Sequence, residues 1–422
     1  MKMNKQDFNE GLLGFLDASP TPFHAVQNMA GMFTNAGFER LFEEQKWALE
    51  QGKKYFVVRN DSSIIAFSYP KNKNFLMVGA HTDSPNLRLK PNPLIKEHGV
   101  VKFGVESYGG LLLNSWFDRD LSLAGRISYL DANNLIKDAL VDAKKAIAII
   151  PSLAIHLDRE ANEKRSINAQ TDICPIATTD SEFAWDAFLK ELLAQSGVAD
   201  AQEIYAHELA FYDMQKASFV GLRDEFIASA RIDNLLSCYV GMLALCSVDE
   251  AKPMLFVAND HEEIGSQSAV GAEGSFLYSV LKRVFREHEE FEQMIRASLF
   301  VSADNAHAIH PNFPAKHDAA HAPRINGGTV IKVNANQRYA SNAKTIARFC
   351  NVAASLGEVT QNFVMRSDMA CGSTIGPITA AKLGIDTLDV GAPTYAMHSI
   401  RELCGSNDAH SLYKILVGLC ER

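Results

Sequence analysis

The sequence predicts an α/β fold built on a mainly parallel sheet with helices on both faces, interrupted by an inserted β-rich segment. Two observations carry this. Apolar runs from Phe75 to Ala80, Met254 to Ala258, Leu299 to Val301 and Thr387 to Val390 alternate with helical stretches. A strand apolar at every position is buried on both faces, as in sheets covered by crossover helices. After the first of these runs, from about Leu94, the texture changes to alternating segments broken by glycine, the pattern of antiparallel strands. The expected organisation is therefore residues 1–93 and 227–422 for the parallel-sheet domain, with residues 94–226 inserted into it.

In chain order, the first expected helix has Thr21 as cap, Pro22 in the first turn and Gly37 as stop, with Val26, Met29, Ala30 and Phe33 on one face. Two β-like runs follow, Tyr55 to Val58 and Ser63 to Phe67. Within the insertion, Val100 to Val105, Leu111 to Phe117 and Leu121 to Leu130 read as antiparallel strands, with Asp118-Arg119-Asp120 as a turn. Trp185, Phe188, Leu189 and Leu192 keep helical spacing up to Gly197, and Leu235 to Cys246 is a helix after the insertion.

The chain has 422 residues, with 41 Lys+Arg against 50 Asp+Glu and a formal net charge of −9. Hydrophobic residues make up 47% and charged residues 22%, enough apolar surface to exclude disorder and fibrous repeats. The acidic balance, without a basic cluster, argues against nucleic acid as a partner. No stretch approaches the roughly 18 to 20 apolar residues of a membrane-spanning helix; the longest, Ala146 to Leu157, contains Pro151 and His156. Met1 to Glu10 alternates charged and polar residues where a secretory leader would place an apolar core, so a cytoplasmic location is expected. The seven cysteines are dispersed and form no CxxC pair, which suggests neither a disulfide framework nor a thiolate zinc site.

The chemistry lies where the buried runs end. Phe75 to Ala80 leads into His81-Thr82-Asp83, Met254 to Ala258 into Asn259-Asp260-His261-Glu262-Glu263, and Leu299 to Val301 into Ser302-Ala303-Asp304. Thr387 to Val390 leads into a loop with His398, and Asp233 stands at a helix start. Ligands of open α/β sheets bind outside the carboxyl ends of the strands, so these segments are expected to converge. Each residue alone has an ordinary reading: a loop histidine, a helix cap or a solvated acidic turn. Their shared placement supports a metal site. Imidazoles with carboxylates and no thiolate fit zinc, manganese or cobalt, and zinc suits hydrolysis. Two ions are expected, one on His81, Asp233 and Asp304 and the other on Asp233, Glu263 and His398. Asp83, two residues after His81, faces the same way and can fix its imidazole tautomer. Other signatures are missing: Gly265 stands where HExxH needs its second histidine, and no GxSxG elbow, P-loop or GxGxxG occurs. His307, His310, His317 and His321 lie in a Pro/Asn-rich loop, read as pocket lining or surface.

Six blocks in order carry a family resemblance: GAHTDSPNLRLKPNP from Gly79, SARIDNL from Ser229, DHEEIGS from Asp260, SADNAHAIHPN from Ser302, IKVNANQRYA from Ile331, and the stretch Asp368 to Glu402 with YAMHSIRE. The chain resembles the M18 metallopeptidases, the aspartyl aminopeptidases, in their bacterial branch, over nearly its whole length. The resemblance implies a zinc-aminopeptidase-like catalytic domain and an inserted dimerisation domain. It implies His81, Asp233, Glu263, Asp304 and His398 as ligands of two zinc ions with Asp233 bridging, Glu262 as general base, and Asp83 as the group orienting His81. It further implies that His307, Lys332 and Tyr339 line the substrate pocket, that His156 reaches a neighbouring subunit's active site, and that the chains assemble from dimers into a homo-dodecamer.

The expected reaction is hydrolysis of the N-terminal peptide bond of peptides, with a preference for N-terminal Asp or Glu through Lys332. Glu262 would act first as base and then as acid, and Tyr339 or His307 would donate to the developing oxyanion. Two rivals are an amidohydrolase or carboxypeptidase with a similar two-metal site, and a scaffold whose metals are structural.

Overall fold

The computed structural model describes residues 3–69, 74–249 and 252–421. The chain forms two compact units, one of Met1–Asp83, Ala217–Met397 and Glu402–Arg422, the other of Ser84–Lys216 and His398–Arg401.

The first unit is built on a nine-stranded sheet. Its centre is four parallel strands in the order Met254–Asn259, Leu76–His81, Leu299–Ala303, Asp386–Gly391. Antiparallel neighbours flank them, Ser63–Ser68 on one side and Thr329–Lys332 on the other. The four apolar runs of the sequence are these central strands. Every residue of the first three is buried. Alternate side chains feed two cores: Leu76, Val78 and Ala80 pack with helix Ile232–Ser247, whereas Phe75 and Met77 pack with helices Phe276–Val284 and His288–Ala297. The fold is thus α/β, with helices on both faces of a mainly parallel sheet.

The expected helix after Thr21 spans Pro22–Asn35, with Thr21 as cap and Val26, Met29 and Phe33 buried. It is the second helix. Lys5–Ala18 precedes it, capped by Asn4 and burying Phe8, Leu12, Phe15 and Leu16. Those four fall on one face at helical spacing, although polar residues dominate the segment's start. A smaller five-stranded sheet in the same unit includes Phe226–Ser229 paired with Glu402–Gly405, which brings Glu402 to the start of helix Ile232–Ser247.

The second unit is a six-stranded antiparallel sheet in the order 136–142, 121–130, 203–213, 86–97, 100–108, 176–178. Leu111 to Phe117, expected as a strand, instead holds a 3-10 turn, Leu113–Trp116. The Ser115 hydroxyl and amide both donate to the Leu112 carbonyl, at 2.7 and 3.0 Å, a local bond that competes with strand pairing. Trp116 and Phe117 still reach this unit's core. Helix Trp185–Gln195 buries Leu189, Leu192 and Leu193 against the sheet. Among the described residues no helix is long and apolar enough to cross a membrane.

Gly79, inside the central strand Leu76–His81, has the Phe300 ring where a Cβ would stand, nearer than van der Waals contact permits. Gly79→Ala should destabilise the protein by about 1–3 kcal/mol through overpacking. Urea unfolding measures this; an unchanged midpoint would refute the close approach.

Candidate metal centre

Three side chains meet at the carboxyl ends of the central strands. His81 ends strand Leu76–His81, Asp304 follows strand Leu299–Ala303, and Asp233 lies in the first turn of helix Ile232–Ser247. The helix entry is irregular. Arg231 is left-handed at φ 59°, and its guanidinium donates to the Ser19 and Leu16 carbonyls at 3.0 and 3.1 Å. The Asp233–Asn234 peptide is cis. The Asp233 amide donates to Glu402 Oε2 at 2.8 Å, and the Asn234 carboxamide to the Ala303 carbonyl at 2.9 Å, so this turn is tied to both neighbouring segments.

His81 is 2% exposed. Its Nδ1 lies 3.1 Å from the Asp83 carbonyl and 3.3 Å from Asp83 Oδ1. Both are acceptors, so Nδ1 carries a proton, and Nε2 is the nitrogen a neutral ring would offer to a cation. That Nε2 lies 3.4 Å from Asp233 Oδ1, 3.7 Å from Asp304 Oδ1 and 3.9 Å from Glu262 Oε2.

These separations fit a shared cation. Two donors at about 2.0–2.2 Å from a tetrahedral ion stand about 3.3–3.6 Å apart, and donor atoms of His81, Asp233 and Asp304 all lie within 4.8 Å of one another. Asp233 and Glu263 also bring carboxylate oxygens within 4.8 Å of each other. Without a cation, burial opposes the charged imidazole, yet Glu262, Asp233, Asp304 and Asp83 outweigh it and raise His81 well above its ordinary value. Burial, with the charges of Asp304, Asp83 and Asp233 adding to it and His81 opposing, likewise pushes the Glu262 carboxyl up to about 8. The cluster calls for positive charge, supplied either by protons or by an ion.

Asp83 does more than orient His81. It is fully buried, and its two oxygens accept the amides of Glu262 and Glu263 at 3.2 and 3.1 Å. One carboxylate therefore fixes both the imidazole and the 3-10 turn Glu262–Ile264. His261 enters that turn at φ 64° and Gly265 leaves it at φ 96°, a tight reversal that turns both glutamates back toward the strand ends. Asp260, just before it, is buried and accepts the His261 amide at 2.8 Å; burial and the Asp83 charge push it up to about 6.

Lys332, expected to line the substrate pocket, is engaged within the protein. It is 2% exposed, and its Nζ donates to Asp304 Oδ2 and to the Asn305 carbonyl, each at 3.0 Å. It braces a candidate ligand from behind. Tyr339 is buried, its ring 5.2 Å from the Lys332 ammonium, and burial together with the Cys371 thiol pushes its phenol far up. His307 stands over the Phe363 ring at 5.8 Å. It lines a cavity of about 240 Å³ with His310, Lys316, His317 and Met397. His321 does not line it and instead pairs with Asp318 at 2.8 Å.

His398 and His156 belong to the second unit. The His398 Nδ1 lies 2.9 Å from the Gly110 carbonyl, which leaves its Nε2 as the metal-capable nitrogen. His156 is exposed on the loop after Pro151. Sequence reasoning missed Glu402 and Asp389. The only signal for Asp389 was an acid inside an otherwise apolar run, since a fully buried acid requires partners.

The chain matches, over residues 15–419, the family model described as aminopeptidase I zinc metalloprotease (M18). It is 50% identical over 419 residues to a probable M18 family aminopeptidase 2 of Pseudomonas fluorescens, covering 98% of this chain and 97% of that one. Among solved structures, it is similar to a chain in a cryo-EM structure of the Ape4 and Nbr1 complex, at TM-score 0.94 and 39% identity, covering 98% of this chain and 85% of that one. It is also similar to the S. cerevisiae mApe1 dodecamer, at TM-score 0.86 and 27% identity, covering 100% of this chain and 98% of that one.

Two outcomes follow from the geometry. Asp83→Ala should weaken metal binding roughly 10- to 100-fold, because it frees the imidazole and leaves two amides without their acceptor; competition with a chelator measures it, and wild-type affinity would refute the double role. Metal affinity should also fall as pH drops through the raised His81 value, since a proton on Nε2 excludes the ion. Binding calorimetry at several pH values should therefore show proton release.

Proposed function

We infer that this chain, which belongs to the M18 family of zinc metalloproteases and is a metal-dependent aminopeptidase, uses two divalent ions and Glu262 as general base. The supporting observation is the meeting of His81, Asp233 and Asp304 at ligand spacing with Glu262 beside them. His81, Asp233 and Asp304 would hold one ion; Asp233, Glu263 and His398 are assigned the other, with zinc as the metal. When bound, the ions supply Lewis acidity to the scissile carbonyl and to the attacking water.

Glu262 is 16% exposed and, although it forms a metal-capable group with His81 and Glu263, the two ligand sets named above are complete without it. In this reading it takes the proton of the attacking water and returns it to the leaving amine. Burial already favours its protonated form, which suits the second half of that task, and nearby cations favour the ionised form needed for the first. Tyr339, with its phenol kept protonated, donates to the developing oxyanion, and His307 shapes the adjoining cavity. The free α-amine of the peptide binds beside the metal centre, confining cleavage to chain ends.

A preference for N-terminal Asp or Glu remains part of the proposal, through the third ammonium hydrogen of Lys332. The other two hydrogens have acceptors in Asp304 and Asn305. Homo-oligomerisation, to a dodecamer, is supported by the dodecamer to which the chain is similar, with His156 of each chain serving a neighbouring site.

Glu262→Gln should keep its metal and lose roughly 10²- to 10⁴-fold in kcat, as read by arylamide hydrolysis alongside elemental analysis. Near-normal turnover would remove Glu262 from the role. On the wild type, Asp- and Glu-arylamides should outpace Leu- and Ala-arylamides, and equal or faster Leu cleavage would end the acidic preference.

A further inference from the structure

Asp389 is fully buried within strand Asp386–Gly391 and belongs to no candidate ligand set. A carboxylate in that position is costly unless its oxygens are used. They are. Oδ2 accepts the Ala340 amide at 2.6 Å and Oδ1 accepts the Thr374 hydroxyl at 2.5 Å. The Asp389 amide donates to Ser341 Oγ at 2.9 Å, and the Ser341 hydroxyl lies 3.4 Å from the Asp389 carbonyl.

The 340–341 segment is thus stapled to the strand by the backbone and side chain of one residue. The staple begins one residue beyond Tyr339. On the other side, Thr374 is also the cap of helix Ile375–Leu383, so Asp389 joins the Tyr339 loop to a helix start. Gly376 admits this arrangement: a Cβ there would run into the Asp389 carboxylate. Strand Thr329–Lys332 pairs antiparallel with the same strand through Ile331↔Val390. Continuing that register by one residue sets Lys332 opposite Asp389, so the two ends of the 332–339 connection both rest on this point.

We propose that Asp389 is a positioning residue for the hydrolysis, holding the Tyr339 phenol in place through the Ala340 amide and acting on the reaction only through Tyr339. The inference rests on the reading that Tyr339 donates to the reacting carbonyl oxygen. An alanine at 389 removes both anchors and lets the loop shift, whereas an asparagine can keep them by turning its oxygen to the Ala340 amide and its NH₂ to the Thr374 hydroxyl, which accepts as well as donates. Displacement of a donor by a fraction of an ångström is enough to cost catalysis without unfolding the chain.

The test is a double-mutant cycle on the metal-loaded enzyme with Asp389→Ala, Tyr339→Phe and the pair, measuring kcat, KM, bound metal and thermal midpoint. Tyr339→Phe should lower kcat roughly 10²-fold. Asp389→Ala should lower kcat about 10- to 100-fold, with metal content and KM little changed. The double variant should stay within about twofold of Tyr339→Phe alone, because the second change then has nothing left to displace. Multiplicative losses in the double variant, or loss of metal in Asp389→Ala, would overturn the proposal while leaving the role of Tyr339 standing. A Tyr339→Phe enzyme with wild-type kcat would overturn both. If Asp389→Ala does not fold, Thr374→Val removes the Oδ1 anchor alone, and the same cycle run with it separates coupled from multiplicative losses in the same way.

Discussion

The structure depends on one electrostatic constraint: several carboxylates and an imidazole are packed out of water at the end of a sheet. Asp83 and Asp233 are buried, and Asp304 and Glu262 are largely so. Left to themselves such groups recruit protons, and His81 and Glu262 are both shifted that way. A protonated imidazole is a single charge and a hydrogen-bond donor, whereas the spacing around His81 Nε2, 3.4 Å and longer, exceeds that of good charge-assisted hydrogen bonds. In the proposed reading, an ion bound here would displace those protons.

That constraint explains why the supporting residues are themselves charged or amide-bearing. Asp83 spends three acceptor contacts on His81, Glu262 and Glu263, Glu402 holds the Asp233 amide, and Lys332 covers the outer oxygen of Asp304. Each candidate ligand or base is thus fixed from behind by a residue on another segment. The parallel sheet supplies the frame: its strands end side by side, so short loops after them meet without long excursions. Rigidity at these ends comes from close packing such as the Phe300 ring over Gly79.

Much of this was legible in the sequence. The fully apolar strands announced themselves, because burial on both faces leaves no polar alternation, and the acids directly after them stood out. The helix Lys5–Ala18 was not legible, because its apolar stripe of Phe8, Leu12, Phe15 and Leu16 is diluted by charged neighbours. The 3-10 turn at Leu113–Trp116 was hidden because apolar content alone does not separate a strand from a buried turn; the Ser115 contacts decide it. Partner choice was the least legible. Nothing local to Lys332 says that its ammonium ends on Asp304, 28 positions earlier, or that the Asp389 carboxylate takes an amide from Ala340.

The Lys332 ammonium is already engaged within the protein, on Asp304 and the Asn305 carbonyl. A free ammonium in a pocket wall would attract an acidic side chain with its full charge. Here the charge is already matched by Asp304, so an arriving carboxylate meets a pair, and it gains from geometry and the remaining N–H more than from net attraction. Removing the ammonium would also leave Asp304 without its buried partner and alter the metal site. If the proposed acidic preference runs through Lys332, any loss of it on truncating that residue would arrive mixed with a change at Asp304. Acid recognition is better approached from the substrate side, by varying the first residue of the peptide against an unaltered centre. The imidazole-lined cavity that includes His307 and His310 lies outside the Asp304–Lys332 pair and can be altered without breaking it.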